Sequence, residues 1–334
     1  MMTKSILICS LTAAVVAAAT SLPAAAQFHE YVTVGDPGNP NDPVTGNLYG
    51  GVATTYAIGT YEVTINQYAE FLNAVAATDT YSLYNSAMAS DLNSAGISRQ
   101  NSSGSYTYSV IGSGARPVTH VSFYDALRYA NWLGTGSTET GAYTLLGGTP
   151  VPSNWETVTR NGGAQVWIPS ENEWYKAAYY DPGAGGPADD YWLYPMRSDA
   201  VPTSNTPGAG TNRGNFDDGD FAVTQSGSYD PGQNYLTDAD AYTDSASYYG
   251  TFDQGGNVWE WNDTIISSDR GLRGGAWDLV ELNLQASSRY SDDPTYDDIN
   301  IGFRVATVPE PTVSVSLMLA GGLLLARRKR PSAL

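Results

Sequence analysis

The sequence predicts a single loop-rich globule that mixes a few helices with short strands. Three observations lead there. Hydrophobic residues make up 42% of the 334-residue chain and charged residues only 15%, so a core can form without a long charged helical surface. Glycine (35) and tyrosine (24) are abundant, which suits turns and aromatic packing rather than a helical bundle or a disordered chain. Only three stretches combine a helix-start signal with a helical apolar period, and neither an internal repeat nor a linker divides the chain.

Taken in order, residues 1–26 read as a secretory signal. Lys4 supplies the positive start, Ile6 to Ala19 the apolar stretch, and Ala24-Ala25-Ala26 a small-residue cleavage pattern before Gln27. Residues 27–49, rich in Gly, Pro, Asn and Asp, read as an irregular leading segment. Val52 to Thr64 is strand-like, with β-branched and aromatic residues. Thr64 then caps a helix carrying Tyr68, Phe71, Leu72 and Val75, while residues 80–115 read as loops with short strands. Ser122 with Asp125 opens a second helix, striped by Leu127, Ala130 and Leu133 and ended at Gly134; Ser170 with Glu173 opens a third, stopped by Asp181-Pro182-Gly183. Residues 182–255 show little regular pattern, a length that bound ions would help to hold together. Strand-like patterns return over 256–306.

At the end of the chain Val308-Pro309-Glu310-Pro311 precedes an apolar run from Val313 to Ala326 and a basic cluster, Arg327 to Arg330. The run is shorter than a comfortable membrane span, and the cluster belongs on the cytoplasmic side. Residues 307–334 in this order resemble the PEP-CTERM sorting signal of Gram-negative bacteria. The resemblance implies a short transmembrane segment, recognition and removal by an exosortase-type transpeptidase, and delivery to the cell envelope, outer surface or extracellular matrix. Without the two processed ends roughly 280 residues remain, with 11 basic and 33 acidic side chains, a net charge of about −22. Such a domain repels nucleic acid and anionic lipid. The single cysteine, Cys9, falls within the leader, so the mature chain offers no disulfide, thiolate ligand or cysteine nucleophile.

Six short blocks carry the functional reading. Tyr61-Glu62-Val63-Thr64 and Arg116-Pro117-Val118-Thr119-His120-Val121-Ser122 each lead into a helix, as does Ile168-Pro169-Ser170-Glu171-Asn172-Glu173-Trp174. Gly256-Asn257-Val258-Trp259-Glu260-Trp261, Arg273-Gly274-Gly275-Ala276-Trp277 and Gly302-Phe303-Arg304 follow. In this order, over residues 50–306, they resemble the formylglycine-generating-enzyme, or sulfatase-modifying-factor, domain. The resemblance implies one α+β domain of low regular secondary structure, related to C-type lectins and holding calcium. By the family pattern Asp253 and Glu260 give side-chain oxygens to one ion, and Gly256 and Val258 give carbonyls; a mix of carboxylates and carbonyls on a glycine-containing loop is what a hard cation takes. The competing reading is a tight turn with Glu260 in a salt bridge. Asn215, Phe216 and Asp220 are the candidates for a second ion, with Asp217 or Asp218 as substitutes because the spacing departs from the family.

The same resemblance implies a copper site of two cysteines after the Arg-Gly-Gly block. Here that stretch is Asp278-Leu279-Val280-Glu281-Leu282-Asn283-Leu284-Gln285, with no thiol, so no copper is expected: copper(I) needs soft ligands. Relatives that use non-haem iron carry histidines on a separate helical domain; this chain has only His29 and His120. Catalytic residues are therefore not assigned. Trp167, Trp174, Trp259, Trp261 and Trp277 read as core, with a sugar-stacking role open to one or two, and Arg273 and Arg304 read as partners of buried carboxylates. The function expected is a calcium-stabilised, non-catalytic binding or matrix protein, with extracellular polysaccharide or envelope proteins as partners. The alternative is a divergent oxidoreductase of the family, formylglycine-generating or non-haem-iron-like, acting in the envelope.

Overall fold

Strands and helices form where the sequence gives caps and alternation, and the rest of the chain is held by side-chain hydrogen bonds. The computed structural model describes residues 29–183 and 190–309; the predicted leader, and the predicted sorting tail from residue 310 onward, lie outside the described residues. Among the described residues no helix is long and apolar enough to cross a membrane. The elements are β1 (Tyr31–Val34), β2 (Tyr56–Gly59), α1 (Ile65–Val75), α2 (Ala87–Ser90), β3 (Ile97–Gln100), β4 (Thr107–Val110), α3 (Phe123–Thr135), β5 (Val166–Trp167), α4 (Glu171–Tyr179), β6 (Thr203–Ser204), β7 (Arg213–Gly214), β8 (Trp259–Ile266), β9 (Asp269–Arg273), β10 (Tyr290–Asp292), β11 (Ile301–Phe303) and β12 (Ala306–Thr307). This is the α+β fold of low regular content that the blocks imply.

All three expected helix starts are capping boxes: Thr64 with Gln67, Ser122 with Asp125 and Ser170 with Glu173 each satisfy two backbone donors reciprocally. α3 runs past Gly134 and ends at Gly136, which takes the left-handed conformation. The leading segment is not wholly irregular, because Tyr31–Val34 pairs antiparallel with β2. The strand expected over Val52 to Thr64 is shorter than its pattern, Tyr56–Gly59, since Thr64 is taken as a helix cap.

Two four-stranded sheets organise the chain, in the orders β1-β2-β12-β5 and β10-β9-β8-β11. β11 runs parallel to β8, placing Ile301 opposite Trp259 and Phe303 opposite Trp261. α1, α3 and β11 meet in an aromatic core. Phe71 of α1 meets Tyr129 of α3 edge-on at 5.2 Å, and Tyr129 meets Phe303 at 5.4 Å. Such pairs add about 0.5–1.5 kcal/mol each beyond area burial. Of the tryptophans read as core, Trp174, Trp261 and Trp277 are fully buried.

Two buried ion pairs complete the interior. Arg304 grips Glu260 in a two-pronged bond, both contacts 2.6 Å and both residues wholly buried, while the Trp174 indole donates to the same carboxylate at 2.8 Å. Arg273 and Arg289 both engage Glu171, at 2.7–2.9 Å. The extra guanidinium outweighs the effect of burial and holds the Glu171 carboxyl below its usual range.

Glu260→Gln strips Arg304 of its two-pronged carboxylate partner in the interior, and urea unfolding should register a loss of about 3–5 kcal/mol. A loss below about 1 kcal/mol contradicts the pinning role. Asp125 is a second probe. Its Oδ2 accepts from the Ser122 amide and hydroxyl, its Oδ1 is buried without a partner, and burial pushes its carboxyl from 3.8 up to about 7. A raised carboxyl contributes stability that is complete below the unfolded value near 4 and is lost as pH climbs through 7. Asp125→Asn stays neutral, so relative to the parent it should gain on the order of 2–4 kcal/mol between pH 4 and pH 8. Parallel pH profiles contradict this.

Candidate functional site

The loop before β8 carries Asp253, Gly256 and Val258 of the first predicted set, and Glu62, from the segment between β2 and α1, lies in the electrostatic reach of Asp253. Asp253, Gly256 and Asn257 all take positive φ, so the chain curls tightly between Phe252 and Trp259. Gly256 is required there, since a Cβ would sit 2.3 Å from the Asn215 carbonyl oxygen. Glu260, expected as a ligand, has both oxygens engaged by Arg304 and Trp174. The free oxygens belong to others. Asp253 Oδ2 and Glu62 Oε2 are buried without a hydrogen-bond partner among the described residues, while Glu62 Oε1 accepts from Asn257 at 3.2 Å.

The electrostatics of this cluster are unbalanced. Glu62, Asp253 and Glu260 are three carboxylates, and Arg304 is the one guanidinium acting on all of them. Burial pushes Asp253 up to about 7, with Glu260 adding to the rise and Arg304 opposing it. Burial, followed by the charge of Asp253, drives Glu62 well above its ordinary value. Fully ionised, three carboxylates against one guanidinium would carry two surplus negative charges; burial instead favours the protonated forms of Glu62 and Asp253, and one oxygen of each stays without a partner. Asp253 and Glu62 carry the open carboxylate oxygens of this corner, and Gly256 and Val258 belong to the same tight loop as Asp253. Glu62 escaped the sequence reading because nothing in the 253–260 block points to the start of the chain.

The second predicted set is drawn together less tightly. Asn215 is buried and adjoins the first loop: its side chain donates to the Tyr235 carbonyl and to Asn257 Oδ1, and its own carbonyl accepts from the Asn257 amide. The Phe216 carbonyl accepts from the Ser204 hydroxyl. Asp220 lies on the exposed turn beyond, and Asp217 caps the Gly219 amide at 2.8 Å. Among the described residues no three His, Cys, Asp or Glu side chains converge on one point as metal ligands do.

Beyond the Arg-Gly-Gly turn lies a cleft of about 310 Å³ over the second sheet. Gly274 and Gly275 both take positive φ, and Leu284 and Asn283 press against Gly275. This turn sets Leu284 into the core and Leu279 into the cleft wall. The opposite side comes from cross-strand neighbours: Tyr290 beside Leu272, and Ile301 beside Trp259. Trp259 and Tyr290 stack with ring centroids 5.8 Å apart. Asp292, Asp298, Asn283 and Asn300 supply the polar lining. The thiol-free stretch gives Leu279 and Asn283 to this cleft, and β8 to β11 with the loop between β10 and β11 give its rings and carboxylates.

Neither histidine lines the cleft, although the His120 amide donates to the carbonyl of Asp298, which does. His29 is buried against Tyr129, with Nε2 2.7 Å from its hydroxyl, and desolvation lowers its imidazole to about 3. His120, in a left-handed conformation, stands between Asp91 and Asp297 at 3.7 and 3.6 Å, beyond hydrogen-bond reach. They do not form a joint metal site.

Comparison with known proteins follows the same lines. Residues 51–308 match the family described as the sulfatase-modifying factor enzyme 1-like domain. A search of the curated proteins returns no match. Among solved structures, CarF is 21% identical with a TM-score of 0.49, covering 84% of this chain and 98% of its own. Treponema denticola variable protein 1 is 19% identical (TM-score 0.45, 84% and 95% covered), and PvdO from Pseudomonas aeruginosa is 17% identical (TM-score 0.42, 84% and 92%). The family match takes in all six sequence blocks, the carboxylate loop and the cleft, and the chain belongs to the sulfatase-modifying factor enzyme 1-like domain family.

Proposed function

We propose that this chain is an exported, surface-sorted binding protein that keeps the family scaffold, stiffened by calcium, and lacks its thiol chemistry. The observation that carries the reading is the cleft beside the Arg-Gly-Gly turn. Its wall is Leu279 and stacked rings, and its polar atoms are all amide, carboxylate and phenol oxygens or nitrogens. Such a lining recognises a ligand by stacking and hydrogen bonding; it offers copper(I) nothing soft to bind. The leader and the tail motivate export and exosortase-type sorting, with matrix polysaccharide or envelope proteins as the partners within reach of a surface-held domain.

Calcium, when bound, supplies rigidity: it neutralises the surplus charge of Glu62 and Asp253 and ties the 253–258 loop to the strand end before α1. Arg304 and Trp174 hold Glu260 in place behind that loop. The second predicted set, Asn215, Phe216 and Asp220, is the weaker candidate, because the Phe216 carbonyl already accepts from Ser204 and Asp220 lies exposed on the turn beyond. A divergent oxidoreductase remains the second reading, and the preformed cleft is the observation in its favour.

Calorimetric titration with calcium tests the assignment. The purified protein should bind calcium and gain thermal stability. Glu62→Gln should bind it at least about 10-fold more weakly, in line with the loss of a carboxylate donor. A parent protein indifferent to calcium, or a Glu62→Gln variant of unchanged affinity, contradicts it. For the cleft, a surface pull-down should recover matrix polysaccharide or an envelope protein, and a thiol peptide incubated with oxygen should stay unconverted. Conversion of that peptide supports the oxidoreductase.

A further inference from the structure

We propose that the cleft over the second sheet is a site for an organic ammonium group, an assignment that rests on the binding role proposed above and names its ligand chemistry. Three features converge on it. The first is aromatic surface held open to water: Tyr290 is 52% exposed and Tyr296 42% exposed, and Trp259 stacks behind Tyr290. Ring faces presented in a concavity attract cations through their quadrupole.

The second feature is negative charge without a counter-charge. Asp292 and Asp298 both line the cleft, and neither takes part in an ion pair among the described residues. Their hydrogen bonds come from their own loop. Asp292 Oδ1 accepts from the Asp293 amide, while Asp298 accepts from the Ile299 amide and from the Tyr296 hydroxyl at 2.6 Å. The Tyr296 bond fixes ring and carboxylate side by side. Among the described residues no Lys or Arg lines the cleft; of the three arginines on or beside β9 and β10, Arg273 and Arg289 are engaged by Glu171, and Arg270, opposite Asp292 in register, donates instead to the Asp263 and Val158 carbonyls.

The third is a wall of Leu272, Leu279 and Ile301, which keeps the local dielectric low and strengthens attraction to the carboxylates. At about 310 Å³ the space suits a monosaccharide-sized group or the end of a longer chain. An anion is excluded by the charge. A bare metal ion would leave the rings without a role. A neutral sugar would use the rings and leave both carboxylates uncompensated. An ammonium carried on a ring or an alkyl chain satisfies all three features, and an amino sugar and a lysine side chain share that chemistry.

The test is a titration of the purified protein, in low and in physiological salt, with glucosamine, its neutral counterpart N-acetylglucosamine, and Nα-acetyl-lysine amide. The expected result is saturable binding of an ammonium probe at least about 10-fold tighter than N-acetylglucosamine, weakened by salt. Which ammonium probe binds better identifies the source. Asp298→Asn, which keeps an acceptor for Tyr296 on a solvent-facing loop, should cost about 10-fold in affinity with the thermal transition unchanged, and Tyr290→Ala a similar factor. Equal affinity for the neutral sugar overturns the ammonium assignment and leaves the binding role standing. Absence of binding by every probe also overturns it, and so does an Asp298→Asn variant that binds like the parent.

Discussion

The structure depends on one buried guanidinium. Arg304 lies just past β11, yet it reaches Glu260 on β8, the Gly59 carbonyl at the end of β2 and the Phe252 carbonyl in the loop before β8. Through Glu260 it also fixes Trp174 on α4. A pair so deeply buried gives up much of its Coulomb gain to desolvation, so its value to net stability is modest. Its value to geometry is larger. Five rigid donors in a fork can satisfy carbonyls from segments that no sheet ladder joins, and removing either partner leaves a charge stranded.

Amide side chains extend the same logic through the loops. Asn257 links Asn215, Thr237 and Glu62. Asn131 of α3 binds the Thr138 and Tyr143 carbonyls and accepts from the Tyr143 amide, closing the turn after that helix. Gln254 donates to the Trp174 carbonyl. Backbone groups left over by short strands need partners, and these side chains provide them. What they cannot provide is charge. The Glu62–Asp253 corner has only Arg304 as a counter-charge for three carboxyls, and burial raises Glu62 and Asp253 toward their neutral forms; the proposed cation would let them ionise.

Local signals were legible in the sequence, and long-range ones were not. The three capping boxes fixed α1, α3 and α4 because a cap is a four-residue pattern. The order of the six blocks gave the family and the α+β fold. Tyr31–Val34 was hidden because an edge strand of four residues inside a Gly- and Pro-rich stretch has no period to detect. The Arg304 partner of Glu260 was not legible, because the block gives the identity of Glu260 and not what lies beside it once β11 runs along β8. Glu62 was invisible as a donor for the matching reason: its nearness to Asp253 exists only in the folded chain. Tyr290 and Tyr296 were two among 24 tyrosines, and only the sheet shows which ones face a cleft.

The scaffold therefore separates two tasks that its sequence mixes. Charge and amide networks set the loops, and the cleft, on the binding role proposed for it, is left free to present rings and carboxylates to a ligand. Elemental mass spectrometry of the protein purified from the medium or envelope of its own host tests the division most directly. The account predicts calcium near one equivalent per chain, with copper and iron at background. Stoichiometric copper or iron that survives dialysis against a chelator would contradict it.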